Sequence, residues 1–141
     1  MSSELNVYST NPEWLPPEAF VEALRAYGLD VQWISDDSWS PGEEIPWHAG
    51  RLKAQDGDTL YLSEMTLEDE ERDAVREQAE TLGPGAEPTV ANLKTVYRLQ
   101  GDGPLLAAAL QAAAGTGPSI ILDPGADRVW HRPDPNAAWE I

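Results

Sequence analysis

The segment from residue 36 to residue 47 combines four carboxylates with two tryptophans. Carboxylates accept charge-assisted hydrogen bonds from arginine and lysine, and an indole face attracts a cation. This combination predicts a surface that binds a partner protein rich in basic side chains. In the alternative interpretation, the two tryptophans pack inward to anchor a long loop and the carboxylates are only solvated. The six candidate partner-binding residues are Asp36, Asp37, Trp39, Glu43, Glu44 and Trp47.

A second acidic segment follows, with seven acids between Glu68 and Glu80 against only Arg72 and Arg76. Residues 36–80 together hold 14 acidic and 4 basic residues, a net charge of −10 out of −16 for the whole chain. Such an uneven distribution favours a basic protein partner, because it steers the encounter and orients the two molecules. The simpler explanation is that this helix presents an ordinary solvated face.

The overall charge also excludes several classes of partner. With 25 acids against 9 bases, the chain repels nucleic acids and anionic membrane surfaces. The absence of cysteine excludes disulfides, thiol nucleophiles and thiolate metal sites. We therefore expect neither a nucleic-acid partner nor a membrane partner.

Other chemistry has weak support in the sequence. His48 and His131 each follow a tryptophan and lie 83 residues apart, so we expect structural or surface roles and no catalytic or metal site. The turn at 101–103 has two of the three glycines of a dinucleotide-binding loop, but Leu106 stands where the third belongs. We predict no cofactor and expect no enzymatic activity.

One hypothesis from another class stays open, namely a small enzyme or ligand-binding domain. Its pocket would use carboxylates and tryptophan to hold a sugar or a cationic metabolite. A cleft that gathers Asp36, Asp37 or Asp123 with a tryptophan, and that contains a carboxyl of raised pKa, would favour it.

The elements that must position these residues start with a β-α-β unit. Leu5–Ser9 and Leu29–Ile34 are predicted strands. The helix between them opens at Pro16-Pro17-Glu18, because proline and an acid suit the first turn, and it ends before Gly28.

A hairpin and the acidic helix come next. Arg51–Ala54 and Thr59–Ser63 are predicted strands, joined through a turn that contains Asp-Gly. Thr66 with an acid three residues later resembles a capping box, which predicts a helix reaching about Leu82.

In the last third of the chain, the residue pattern predicts a strand, a helix and two further strands. The predicted elements are Leu93–Leu99, Pro104–Ala114, Ser119–Leu122 and Arg128–His131. The helix is almost free of polar side chains, so it lies either in the core or in a dimer interface.

The two helical units share their spacing, since Pro17 to Gly28 and Pro104 to Gly115 are both eleven residues. Either the unit is duplicated, or the match reflects the narrow length distribution of such units. The predicted fold is α+β, with two β-α-β units in a mostly antiparallel sheet for which a ferredoxin-like arrangement is one possibility. The hairpin and acidic helix, residues 36–82, would be inserted between the halves of a single domain spanning 1–141.

No motif identifies a family. In size, acidity and tryptophan content the chain resembles small bacterial immunity and inhibitor proteins that neutralise basic toxins, and the likeness is one of composition alone. The start Met1-Ser2-Ser3-Glu4 lacks the features of a secretory signal, so a cytoplasmic location is expected. The leading hypothesis is a non-enzymatic acidic protein, inhibitor-like or immunity-like, that binds a basic protein.

Overall fold

A computed structural model describes residues 3–13, 15–35, 48–101, 103–114, 117–123 and 128–132. In this part of the chain, seven strands form one antiparallel sheet accompanied by four α-helices, which confirms the α+β class. The strands are β1 (Ser3–Ser9), β2 (Val31–Ser35), β3 (His48–Ala54), β4 (Thr59–Thr66), β5 (Thr95–Gly101), β6 (Ser119–Asp123) and β7 (Arg128–Arg132). The helices are α1 (Pro17–Ala26), α2 (Asp69–Ala79), α3 (Glu87–Ala91) and α4 (Gly103–Ala114).

The strand order is β2-β3-β4-β5-β1-β6-β7, and every neighbouring pair is antiparallel. A ferredoxin-like sheet built from two β-α-β units is not confirmed, because this sheet has seven strands. The two predicted units also differ, since β5 and β6 flank β1 whereas three strands separate β1 from β2. The β3–β4 hairpin, predicted within an insertion, instead joins β2 to β5 inside the sheet.

Helix α1 begins and ends where the sequence predicts. Pro17 opens it with Glu18 in the first turn, and Phe20 and Leu24 are its buried residues. Gly28 follows with φ of +82°, the left-handed conformation that glycine adopts without a Cβ penalty, and its N–H donates to the carbonyl of Arg25.

The hairpin between β3 and β4 is confirmed, and both strands are longer than predicted. Gly57 takes φ of +97° in the turn, and its N–H donates to the carbonyl of Ala54 at 3.1 Å. Strand β3 also needs a glycine at position 50, where a Cβ would lie 2.6 Å from the Trp33 ring and would collide with the carbonyl oxygen of Ile34. The β2–β3 pair therefore depends on this close approach.

The predicted capping box is wrong. Thr66 is the last residue of β4, and the N-cap of α2 is Glu68, which makes no side-chain capping hydrogen bond. The α-helix ends at Ala79 and continues as a 3₁₀ turn to Leu82. The short helix α3 was not predicted, since a glycine- and proline-rich stretch precedes it.

The sheet separates two hydrophobic clusters. On one face, α1 and α4 cover inward residues such as Leu52, Leu62 and Leu99. On the other face, α2 and α3 cover a smaller cluster that includes Val96 and Ile120. The apolar helix α4 lies in the first cluster, so of its two predicted locations the structure shows the core. None of the helices in the described ranges is long and apolar enough to cross a membrane.

Candidate functional site

All six candidate partner-binding residues fall outside the described part of the chain. They are Asp36, Asp37, Trp39, Glu43, Glu44 and Trp47. On either side of this segment, Ser35 of β2 pairs with Gly50 of β3.

The second acidic segment is described, and α2 positions it on the face that carries the smaller cluster. Val75 and Ala79 are buried against the sheet, which turns the remaining helix surface outward. The chain enters the helix through Leu67, which is buried and whose N–H donates to the carbonyl of Lys94.

Arginines neutralise part of the acidic surface. Arg72 contacts Asp69 at 2.7 Å, and its other terminal nitrogen donates to the carbonyl of Leu93 at 2.7 Å. Arg76 bridges Asp73 at 2.9 Å and Glu87 at 3.0 Å. These contacts tie the helix to the segment that contains α3.

A third arginine neutralises the helix from the sheet. Arg98 of β5 contacts Glu71 at 2.7 Å, and the hydroxyl of Tyr8 donates to the same carboxylate oxygen at 3.2 Å. Burial is the main cause that raises the pKa of Tyr8, and the Glu71 charge adds to it. The Tyr8 hydroxyl therefore stays protonated and remains a donor across the physiological range.

Within this second acidic segment, four of the seven acids make no ion pair with a described group. All four side chains are exposed, and no ion pair or hydrogen bond joins them to a described group. Glu70 and Glu77 lie seven residues apart, two turns along the same side of α2, so their charges add. The four are Glu68, Glu70, Glu77 and Glu80.

A groove of about 370 Å³ lies beside α2, between the helix and the β6–β7 strands. Glu71, Glu77 and Asp123 line it together with Arg128 and Tyr8. Its lining contains an acid named in the alternative hypothesis, Asp123, but no tryptophan among the described residues.

The described carboxyl with a clearly raised pKa lies elsewhere. Glu64 of β4 is fully buried on the opposite face of the sheet, in register with His48 of β3 and Tyr97 of β5. Burial, with a smaller contribution from the Glu18 charge, raises its pKa to about 8. The groove and this carboxyl are thus separate, and the described residues do not gather the combination that the enzyme hypothesis needs.

Tyr97 is the polar neighbour of Glu64 on β5. Its hydroxyl accepts the N–H of Leu15 at 2.9 Å, and its ring meets Phe20 edge-on at a centroid distance of 5.8 Å. Burial is the main cause that raises the pKa of Tyr97 to about 12. These contacts fix the segment before α1 over the sheet.

Of the two histidines, His131 has a contact that holds two elements together. His131 of β7 shares a hydrogen bond of 2.7 Å with the hydroxyl of Thr89 in α3, and burial lowers its pKa. Of His48, only the strand position is described. Within the described ranges, no group of three or more metal-ligating side chains converges.

The sequence interpretation missed a basic region on the sheet. Arg51 and Lys53 of β3 are both exposed and point to the same face as α2, but lie on the half of the sheet that the helix leaves open. Their alternation along β3 was available in the sequence as a signal. The predicted hairpin assigned them to a strand, but gave no reason to separate them from the acidic surroundings.

The chain matches no protein-family model, no curated protein and no solved structure.

Proposed function

We propose that this chain is a non-enzymatic interaction protein that binds a basic protein through the exposed acidic side of α2. The observation that carries the proposal is the contrast within the helix. Asp69, Asp73 and Glu71 are neutralised by arginines at 2.7–2.9 Å, whereas Glu70 and Glu77 are exposed without a described partner. Unneutralised carboxylates on a helix suit guanidinium and ammonium groups of another protein.

The residues of segment 36–47 are the proposed second part of this surface. Their indole rings would supply the apolar anchor that the helix lacks, because Trp is frequent among residues that dominate binding energy. A cytoplasmic location and a bacterial origin remain predictions from the sequence. The proposed anchor and its flanking acids are Asp36, Asp37, Trp39, Glu43, Glu44 and Trp47.

Charge reversal on α2 tests the proposal. The Glu70→Lys, Glu77→Lys double variant should lower affinity for the basic partner at least about tenfold, since close charge pairs are worth more than 1.4 kcal/mol. A panel of small basic proteins with pI above about 9 serves as probe, with poly-lysine as the nonspecific reference. Titration calorimetry at two ionic strengths measures the affinity.

The matched control is the Glu13→Lys, Glu22→Lys double variant, which changes net charge equally. Both residues are exposed, and Glu22 lies on α1, across the sheet from α2. A specific acidic surface predicts that this control retains most of the affinity. Equal losses in the two variants, or no basic protein bound more tightly than poly-lysine, would contradict the proposal.

A further inference from the structure

The side of the sheet that carries α2 and α3 is divided into two halves. The helices cover Val96, Ile120 and the rest of the smaller cluster on strands β5, β1, β6 and β7. Across β2, β3 and the first part of β4, the same face carries the exposed side chains of Gln32, Arg51, Lys53 and Tyr61, none of which belongs to the cluster that the described helices cover, whereas Met65 further along β4 packs against that cluster. This face of the sheet therefore has two parts. One half is covered by α2 and α3, and the other half, which we call the open half, is covered by no described helix.

The register of the strands sets the chemistry of the open half. Ile34, Arg51 and Tyr61 are direct neighbours in one row across β2, β3 and β4. The next row holds Gln32 beside Lys53. Tyr61 is 53% exposed, so its ring and hydroxyl are available at this surface.

The two halves have opposite charge. Arg51 and Lys53 of the open half are exposed and make no ion pair with any described group, as is also true of Arg25, Lys94 and Arg128, whereas Arg72, Arg76 and Arg98 are paired. The covered half carries the unneutralised Glu70 and Glu77 on α2, already described. What distinguishes Arg51 and Lys53 is that they lie two residues apart on one strand, on the same face as the exposed Tyr61.

We infer that the open half binds helix α2 of a second copy of this chain. A twofold axis along the strands, at the boundary of the two halves, would place each α2 on the other copy's β2–β4. Three strands spaced about 4.8 Å apart span about 14 Å. A helix with its side chains is about 10–12 Å wide, so one helix fills the open half.

Because the proposed dimer has twofold symmetry, each contact forms twice. Acids of one α2 face Arg51 and Lys53 of the other copy, and the reverse contact forms at the same time. The long-range repulsion between two chains of charge −16 is screened within about 8 Å at physiological ionic strength, whereas these contacts are closer. The dimer is consequently a weak one that forms at raised protein concentration and moderate salt.

Sedimentation equilibrium of the isolated chain, from low micromolar to millimolar concentration in about 0.15 M salt, tests the inference. The average mass should rise towards that of two chains. Arg51→Glu with Lys53→Glu should weaken self-association at least about tenfold. The control Arg25→Glu with Lys94→Glu carries the same net charge on exposed positions away from the open half, and should weaken it much less.

Mixing two variants gives the decisive measurement. The Arg51→Glu, Lys53→Glu chain and the Glu70→Lys, Glu77→Lys chain should each be monomeric, yet together should form a heterodimer in which both contacts are restored. The matched mixture combines the Arg25→Glu, Lys94→Glu chain with the Glu13→Lys, Glu22→Lys chain. It has the same net charges and should gain no comparable association.

The helix-side variant tests the same contact if the sheet-side variant does not fold. A wild-type chain that remains monomeric at millimolar concentration would overturn the inference. So would a dimer that survives both double variants, or a control mixture that associates as strongly. Loss of the dimer in the Arg51→Glu, Lys53→Glu chain should leave binding of the basic protein intact, so the failure of either proposal is distinguishable from that of the other.

Discussion

At the scale of single residues, the buried carboxyl of this chain and its exposed carboxylates have different surroundings. The exposed acids of α2 are neutralised by arginines or left to the solvent, and both arrangements cost little. Glu64 is instead fully buried beside Tyr97, with the Glu18 charge acting on it from α1. Ionising such a carboxyl is expensive, so the protein holds it in its neutral form at neutral pH.

This buried carboxyl makes stability depend on pH. Its pKa is about 8 in the folded chain against an ordinary value of 4.5, so the folded state binds the extra proton between those values. The contribution of Glu64 to stability is therefore complete below about pH 4.5 and is lost as the pH rises to about 8. Glu64→Gln, which is neutral throughout, should match the wild type near pH 4 and exceed its free energy of unfolding at pH 9 by a few kcal/mol.

Urea denaturation from pH 4 to pH 9 measures this difference. Glu22→Gln on the exposed side of α1 is the control, and its curve should stay parallel to that of the wild type. A parallel curve for Glu64→Gln as well would contradict the assignment of a raised pKa to this carboxyl.

The sequence contained part of the signal for Glu64. Leu60 and Leu62 alternate inward on β4, and the next inward position is Glu64. The predicted strand stopped at Ser63, and an acid at an inward position is rare in a strand core. The structure shows that the alternation continues through it, because the register with β5 extends to Thr66.

At the scale of elements, α2 depends more on its attachments than on its own sequence. Seven acids in and around so short a helix repel one another, and only Val75 and Ala79 are buried. Arg72 compensates by linking the first turn to the loop before β5, through Asp69 and the carbonyl of Leu93. Its side chain is 19% exposed, and although Asp69 is exposed to solvent, the contact with the carbonyl of Leu93 is partly shielded from water.

Replacing Arg72 should therefore loosen α2. We expect Arg72→Met to lower the free energy of unfolding by about 1.5–3 kcal/mol, the range for hydrogen bonds to charged groups. Arg76→Met is the matched control, because Arg76 is 39% exposed and contacts only the exposed carboxylates of Asp73 and Glu87, without a part-buried contact such as that of Arg72 with the Leu93 carbonyl. It should cost less than about 1 kcal/mol. Urea denaturation compares the two variants, and equal losses would contradict the assigned role of Arg72.

Local signals predicted the elements well where one residue type decides the conformation. Gly28 ended α1 and Gly57 closed the hairpin, because both need a positive φ. The capping box failed because Thr66 pairs with Thr95 of β5, which holds it in the strand. Tertiary pairing decided the boundary there, and local sequence does not encode it.

At the scale of the whole molecule, strand order was the part that local patterns could not supply. Alternation predicts which face a residue points to, but not which strand lies next to it. The chain pairs β2 with β3 and inserts the hairpin between β2 and β5, and that order creates the open half of the sheet. For this reason the basic residues of the open half were not predicted to form one surface, although each of them lay in a predicted strand.

The net charge of −16 should also be visible in stability. Like charges are closer in the folded chain than in the unfolded one, so screening by salt stabilises the fold. Raising sodium chloride from 0.01 M to 0.3 M shortens the screening length from about 30 Å to less than 10 Å. A gain of about 1 kcal/mol would raise the melting temperature by about 4 °C in a domain of this size.

Two double variants of equal net charge show which part of the chain contributes most to this repulsion. Glu70→Lys with Glu77→Lys removes charge from the region that holds most of the excess, whereas Glu13→Lys with Glu22→Lys removes it outside that region. The salt-dependent rise in melting temperature should therefore shrink more in the α2 variant than in the control, when both are measured by calorimetry at low protein concentration. Equal rises would show that net charge alone governs the effect, and a fall in melting temperature with salt would show that the ion pairs of Arg72, Arg76 and Arg98 outweigh the repulsion.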